Sequence, residues 1–217
     1  MSHTPDKEFN VLVDLWFPIT GRSLPSDHGY AMYGALCRVV PGLHGAPWWG
    51  LHTVRGVRGV AGSIILRPGA RLGLRIPADR IPSVLPLAGR GLDVFGQRVL
   101  LAAPVVEAVS QSPALSARIV TIKPFVDPED FQKAVLRQLA ESELGIQNAE
   151  VSLGSRKIIT IDKRRVVGFS VRIAGLSSEE SLLLLEHGLG GRRRMGCGVF
   201  RRSERDLSPD VRPRMDD

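Results

Sequence analysis

The 217-residue chain is 43% hydrophobic and 24% charged, enough apolar material for a sizeable core in one doubled domain or two small ones, which excludes a disordered chain. Its formal charge of +7 and pI near 10.1 favour an anionic partner, and no apolar run approaches the ~18 residues that span a bilayer. Cys37 and Cys197 lie far apart and neither sits in a C-x-x-C pair, so no zinc or iron–sulfur signature is present, and the expectation is two reduced thiols in a cytoplasmic protein with no cofactor, no bound metal and no membrane partner.

After a loose start at residues 1–7, Phe9 to Phe17 reads as a β-rich run stopped by Pro18 and Gly21. Ser26 is a good N-cap, and Tyr33, Leu36, Cys37 and Val40 follow at helical spacing until Pro41-Gly42 ends the helix. Leu43 to Trp49 is a loop with His44 and the pair Trp48-Trp49, after which Leu51–Val57, Ser63–Arg67 and Ala70–Ile76 read as extended. Pro82 and Pro86 allow only a short or broken helix between Ile81 and Ala88, and Asp93–Ala102 closes this half as a strand or hairpin. The same order then returns. Ser116–Phe125 alternates as a strand, and Asp127-Pro128 opens a helix with Phe131, Val135 and Leu139 on one face, ending by Gly145. Val151–Ile161 and Val166–Ile173 form a hairpin around Asp162-Lys163-Arg164-Arg165, the S-x-x-E box of Ser177 and Glu180 caps a Leu-rich helix, and Gly198–Arg202 is the last strand. Two successive β-α-β-β-α-β units predict an α+β fold of two tandem ferredoxin-like (RRM-like) modules, at 1–112 and 113–203, with a disordered polar tail at 204–217.

The densest chemistry lies in H-G-L-G-G-R-R-R-M-G-C-G-V-F-R-R, His187 to Arg202. Gly188, Gly190, Gly196 and Gly198 around Arg192, Arg193 and Arg194 describe a loop able to follow a phosphate chain. A nucleotide-cofactor loop would follow a strand and open a helix, whereas here a helix precedes the glycines and a strand follows. From Val151 to Arg205 there are 12 Lys/Arg against 5 Asp/Glu, a local excess equal to the charge of the whole chain, so the anion-facing surface is expected in the C-terminal half. The ligand expected is a nucleic acid.

Two such units with G-L-G-x5-G-C-G before the final strand resemble the repeat-associated RNA-binding superfamily of CRISPR systems. Gly188-Leu189-Gly190 and Gly196-Cys197-Gly198 match its glycine signature. The middle position of the second triplet, often aromatic in the superfamily, is Cys197 here, which leaves the backbone role. In the first half, V-D-L-W-F-P-I-T-G, L-P-S-D-H-G-Y-A-M-Y-G-A-L and A-D-R-I-P-S-V-L-P-L-A-G resemble the myxan-type branch of the sixth CRISPR-associated family. The likeness, from Phe9 to Arg202, implies an endoribonuclease that cuts precursor CRISPR RNA within repeats. No metal takes part: the ribose 2′-hydroxyl attacks the adjacent phosphate and leaves a 2′,3′-cyclic phosphate and a 5′-hydroxyl. The partners implied are repeat RNA and the guide RNA it yields, together with other effector subunits. A non-catalytic RNA-binding subunit of the same machinery is the alternative.

That reaction needs a base, an acid and cations near the phosphorus. Histidine serves near neutrality. The family places its catalytic histidine in or just after the first helix, which matches both His28 and His44. His28 ranks first for its place in D-H-G-Y and an expected exposed ring in the first helical turn, with Tyr30 beside it; His44 is the second candidate or its acid–base partner. Tyr33 shares the apolar stripe and is assigned to core packing. Arg38 on the same helix is a candidate to neutralise a phosphate. Arg192, Arg193 and Arg194 are the main binding residues, and in the superfamily a hairpin such as Lys163-Arg164-Arg165, with Arg156 and Lys157, enters the groove beneath an RNA stem.

Overall fold

The structure is a computed structural model and describes residues 11–141 and 143–203. The expected extended segment at Phe9 and Asn10 and the tail beyond Ser203 lie outside those residues.

Strand β1 (Leu12–Gly21) runs through Pro18 instead of stopping there, because Pro18 needs only its carbonyl, which accepts from Ala102 N–H at 2.8 Å. A short β2 (Ser23–Pro25) leads to α1 (Gly29–Val39). Its N-cap is His28 and not Ser26: the His28 carbonyl accepts the first helical bond from Met32 N–H at 2.7 Å, while Ser26 is held outside the helix by its N–H bond to the Gly62 carbonyl at 2.8 Å. β3 (Gly50–His52), β4 (Val57–Arg58), β5 (Ser63–Ile65) and β6 (Arg71–Pro77) follow, so the single strand expected over Leu51–Val57 is broken in two. The short α2 (Ile81–Val84), β7 (Gly91–Val94), β8 (Gln97–Leu101) and β9 (Val105–Ala108) complete this half; β9 carries no alternation of burial and was not expected. The second half reads β10 (Ala114–Val120), α3 (Pro128–Glu141), β11 (Glu150–Ile161), β12 (Arg164–Ala174), α4 (Ser178–His187) and β13 (Arg201–Arg202).

The fold is mixed α+β with antiparallel sheets. The first sheet has the order β3-β6-β1-β8-β7, with β9 also paired to β1, and the second has the order β11-β12-β10-β13. A separate three-stranded sheet, β2-β5-β4, sits beside α1's N-terminus. Each large sheet packs its helices on one face. Leu15 and Phe17 of β1 meet Met32 and Leu36 of α1 in one core, and Phe131, Val135 and Leu185 meet Phe169 and Ile173 in the other. The capping box forms as expected: Ser177 Oγ accepts from Glu180 N–H at 3.2 Å, and Glu180 Oε2 accepts from Ser177 N–H at 2.8 Å. The β11–β12 turn is two residues, Asp162 and Lys163, both at positive φ, so Arg164 and Arg165 belong to the strand.

The faces without helices turn toward each other, and a buried network joins them. Arg75 on β6, 2% exposed, clasps both oxygens of Asp14 on β1 at 2.8 Å and donates onward to the Phe200 and Leu185 carbonyls of the second half. His52 Nε2–H donates to Asp14 Oδ1 at 2.9 Å and its ring stacks on Trp16 at 5.0 Å. Burial alone would raise the Asp14 carboxyl, but His52 and Arg75 outweigh it and hold Asp14 well below the usual carboxylate range. Burial pushes His52 down to about 4 despite that partner, so it is neutral at neutral pH.

Candidate active site

The site grows from α1 and the loop behind it. Helical spacing puts Leu36 in the core and leaves Tyr33 and Cys37 half-buried at its rim. Tyr33 lies flat on Trp49, centroids 6.0 Å apart and planes 16° off parallel, and buried Trp49 donates from Nε1–H to the Leu43 carbonyl at 3.1 Å. Pro41-Gly42-Leu43 forms a tight 3-10 turn closed by His44 N–H to the Pro41 carbonyl at 2.9 Å. His44 is thereby fixed at an exposed position with its Nδ1 3.3 Å from the Tyr33 hydroxyl.

The third component comes from the other half. The Arg194 guanidinium sits 5.7 Å from the Tyr33 ring centroid and donates to the Ala46 carbonyl at 3.4 Å. A phenol, an imidazole and a guanidinium thus converge from α1, the loop after it and the glycine-rich loop. Because Tyr33 engages Nδ1, Nε2 of His44 is the nitrogen left for a substrate. If the phenol donates, Nε2 carries a proton to give; if Nδ1–H donates to the phenol, Nε2 offers a lone pair. The cluster can therefore give or take a proton beside a fixed cation. Cys37 joins its rim, its thiol raised by burial while a hydrogen bond from Tyr33 and the Arg194 charge oppose the rise.

A cleft of about 680 Å³ opens between the two sheets. Its walls carry Arg55, Arg118, Lys157, Arg172, Arg201 and Arg202, with Ser116, Ser152, Ser170 and Ser203 between them and no carboxylate among the described lining residues. Arg118 Nη1–H donates to Thr53 Oγ1 at 2.8 Å. Burial lowers both Arg118 and Lys157, and the Arg118 charge lowers Lys157 further. Such a surface accommodates a polyanion.

The family model described as Cas6 Crispr matches residues 13–204. The chain belongs to the Cas6 family. It is 40% identical over 190 residues to the CRISPR-associated endonuclease Cas6 of Myxococcus xanthus (strain DK1622), covering 88% of this chain and 81% of that one. Its fold is similar to a solved CRISPR-associated protein Cas6 at TM-score 0.65 and 12% identity, over 89% of this chain and 99% of that one. An RAMP protein binding different RNA substrates superposes at TM-score 0.62 and 14% identity, over 88% and 98% of the two chains.

In this Cas6 family member the expected exposed ring of His28 is overturned. The residue is 1% exposed, its Nδ1–H donates to the Pro25 carbonyl at 2.8 Å, and its Nε2 accepts from Val54 N–H at 3.0 Å. Burial lowers its pKa, so the ring is a neutral brace between the helix start and the chain after β3. Tyr30 lines a narrow crevice with His28 and Cys197, and the phenol that reaches His44 is that of Tyr33, which its place on the apolar stripe assigns to the core. Arg38 Nη2–H donates to the Asp93 carbonyl at 2.8 Å, a structural tie to β7.

The three adjacent arginines part company. Arg192, at φ 69°, donates to Thr121 Oγ1 at 3.2 Å, while Arg193 folds between Gly50 and Gly188, where burial first and the Arg75 charge second lower it to about 10. Of the three, Arg194 reaches the Tyr33–His44 pair. The glycines, too, face protein. A Cβ on Gly196 (φ +83°) would run into Thr53, and one on Gly198 (φ +66°) into the Leu189 carbonyl; Gly188 and Gly190 press on the carbonyls of Gly198 and Thr121. Arg156, midway along β11, and Lys163, Arg164 and Arg165 at the far end of the hairpin are exposed, and the Asp27 carboxylate ties Thr160 N–H to the first half. Lys157 alone of the expected hairpin cations lines the cleft. The other cleft cations escape a reading by runs because they come from separate elements: Arg55 from the loop after β3, Arg118 from β10, Arg172 from β12, and Arg201 and Arg202 from β13; arginines within otherwise apolar β10 and β12 are the available signal. Among the described residues no three His, Cys, Asp or Glu side chains gather at a spacing that would hold a metal ion, and no helix is long and apolar enough to cross a membrane.

Proposed function

We propose that this chain is a cytoplasmic, metal-independent endoribonuclease that cuts precursor CRISPR RNA within its repeats and stays on the product guide RNA. We read its two halves, 1–112 and 113–203, as ferredoxin-like modules; in the first, β1 lies between β6 and β8 with β3 at an edge, and in the second, β10 lies between β12 and β13 with β11 at an edge. The observation that carries the activity is the convergence of exposed His44, Tyr33 and Arg194 on one spot in a chain 40% identical to a named CRISPR-associated endonuclease. His44 is the acid or base toward the ribose and the leaving oxygen, Tyr33 sets its tautomer and orientation, and Arg194 offsets charge developing on the phosphate. The basic cleft and the exposed hairpin cations hold the rest of the RNA, a partner supported by the RNA-binding relative among the structures of like fold.

The deciding experiment incubates purified protein with its cognate repeat RNA in EDTA, beside His44→Ala, Tyr33→Phe and His28→Gln. A single cut with a 2′,3′-cyclic phosphate end is expected, abolished in His44→Ala, slowed in Tyr33→Phe and retained in His28→Gln that has stayed folded. Tight binding without a cut would replace the enzyme by the RNA-binding subunit, and a cut that requires magnesium would end the metal-free mechanism.

A further inference from the structure

The β7–β8 hairpin turns through Phe95 and Gly96 at φ 53° and 76°, between the paired residues Val94 and Gln97. Two positive φ values in a two-residue turn call for Asn-Gly or Asp-Gly, and a bulky residue in the first position is an outlier. Phe95 is moreover 67% exposed, and no ring, hydrogen-bond or core contact among the described residues uses it. Backbone strain and bare apolar surface both oppose folding here, and no contact of the Phe95 side chain with the described residues offsets them. The tip is nonetheless held firmly. Gly96 N–H donates to Asp93 Oδ1 at 2.9 Å, and Arg38 of α1 donates to the Asp93 carbonyl at 2.8 Å. The Ser23 hydroxyl donates to Gln97 Oε1 at 3.2 Å on the other flank.

We infer that Phe95 is a stacking platform for an unpaired base of the RNA that α1 presents to His44. The inference rests on the endoribonuclease reading above. Its support is position and charge. Arg38 lies five residues beyond Tyr33 on the same helix, about 7–8 Å along its axis and about 140° around it, so the hairpin tip stands on the opposite flank of α1 from the Tyr33–His44 pair, where a strand crossing the outer face of the helix would arrive. Exposed Arg38 and Arg98 both lie at Asp93, two residues before Phe95: Arg38 donates to its carbonyl and Arg98 pairs opposite it, while the Asp93 carboxylate is engaged by Gly96 N–H. An exposed aromatic face near cations fits a nucleobase with its phosphates, in a sequence-tolerant way.

The test separates function from folding by opposite signs. Phe95→Asn suits the left-handed turn, so its thermal midpoint should rise by about 2–4 °C, while its affinity for the cognate repeat RNA should fall about tenfold. Phe95→Tyr should keep wild-type affinity. With 2-aminopurine walked along the RNA, one position should lose its quenching in Phe95→Asn alone. Wild-type protein that binds and cuts while Phe95→Asn binds equally well would overturn the inference and leave the enzyme standing; wild-type protein that does not bind the RNA would overturn both. A Phe95→Asn variant with unchanged RNA affinity that loses association with another CRISPR effector protein would assign the tip to a protein contact and likewise overturn it.

Discussion

His52 should make the stability of this protein depend on pH in a window set by its burial. In the folded chain its pKa is about 4, because burial penalises the imidazolium more than Asp14 favours it; in the unfolded chain it returns to about 6.5. A histidine depressed by folding contributes stability that is complete above the unfolded value and is lost as pH falls toward the folded one. At about 1.4 kcal/mol per pKa unit the full loss is roughly 3 kcal/mol, of which about 2 kcal/mol falls between about pH 7 and about pH 5. Urea denaturation of wild type and His52→Gln at those two pH values isolates the effect, since Gln retains an N–H donor toward Asp14 but does not titrate. His28, also lowered by burial, acts in the same direction but is present in both proteins, so it cancels in the comparison. The wild type should lose about 2 kcal/mol more than the variant. Equal losses would refute the neutral, buried His52 and with it the account of the Asp14–Arg75 network. A second loss, below the ordinary carboxylate pKa, should come from Asp14, whose stabilisation is present above about 4 and falls away as pH drops toward its depressed folded value.

Arg194→Ala should slow single-turnover cleavage about 100-fold with little change in thermal midpoint, and Arg194→Lys should restore part of the rate; an unchanged rate would remove Arg194 from the site. Gly196→Ala should cost about 1–3 kcal/mol in urea, because the new Cβ meets Thr53 at a backbone angle that alanine resists, and a neutral result would show the loop to be looser than its packing implies. Neutralising Arg118 and Lys157 to Gln should lower the slope of log affinity against log salt by about 0.7 for each phosphate no longer neutralised, and an unchanged slope would take the cleft off the RNA path.

Periodicity carried most of the fold into view. The helix over Phe131, Val135 and Leu139 and the box of Ser177 and Glu180 depend on contacts within a few residues, the long second-half hairpin zips outward from a local turn, and each stands where the pattern puts it. What local pattern could not carry was the partner of each side chain. His28 reads as an exposed first-turn residue until Pro25 and Val54 close on its two nitrogens from outside the helix. Tyr33 reads as core because it shares a stripe with Leu36, yet the turn after Pro41 bends back and brings His44 to its hydroxyl. The choice between the two histidines thus turns on tertiary contacts that no spacing encodes. Of the small β2-β5-β4 sheet the pattern shows the extended run at β5, but β2 and β9 leave no trace because three- and four-residue strands show no measurable alternation.

The glycine-rich loop shows how one composition can serve a different end from the one it advertises. Glycines allow close backbone approach, and beside arginines the approach expected was to phosphate. Here the surfaces approached are protein: Gly29 admits the Met195 carbonyl, Gly196 admits Thr53 and Gly198 admits Leu189. The loop is a joint between the halves, and Arg75 holds the chain on either side of it by donating to the Leu185 and Phe200 carbonyls. The loop also brings Arg194 to a phenol and an imidazole that belong to the other half. Neither half contains the full cluster, because His44 and Tyr33 precede residue 112 and Arg194 follows residue 113. On the endoribonuclease reading proposed above, the site is therefore complete only while the joint is closed, and catalytic competence is tied to the buried contacts that hold the two sheets face to face.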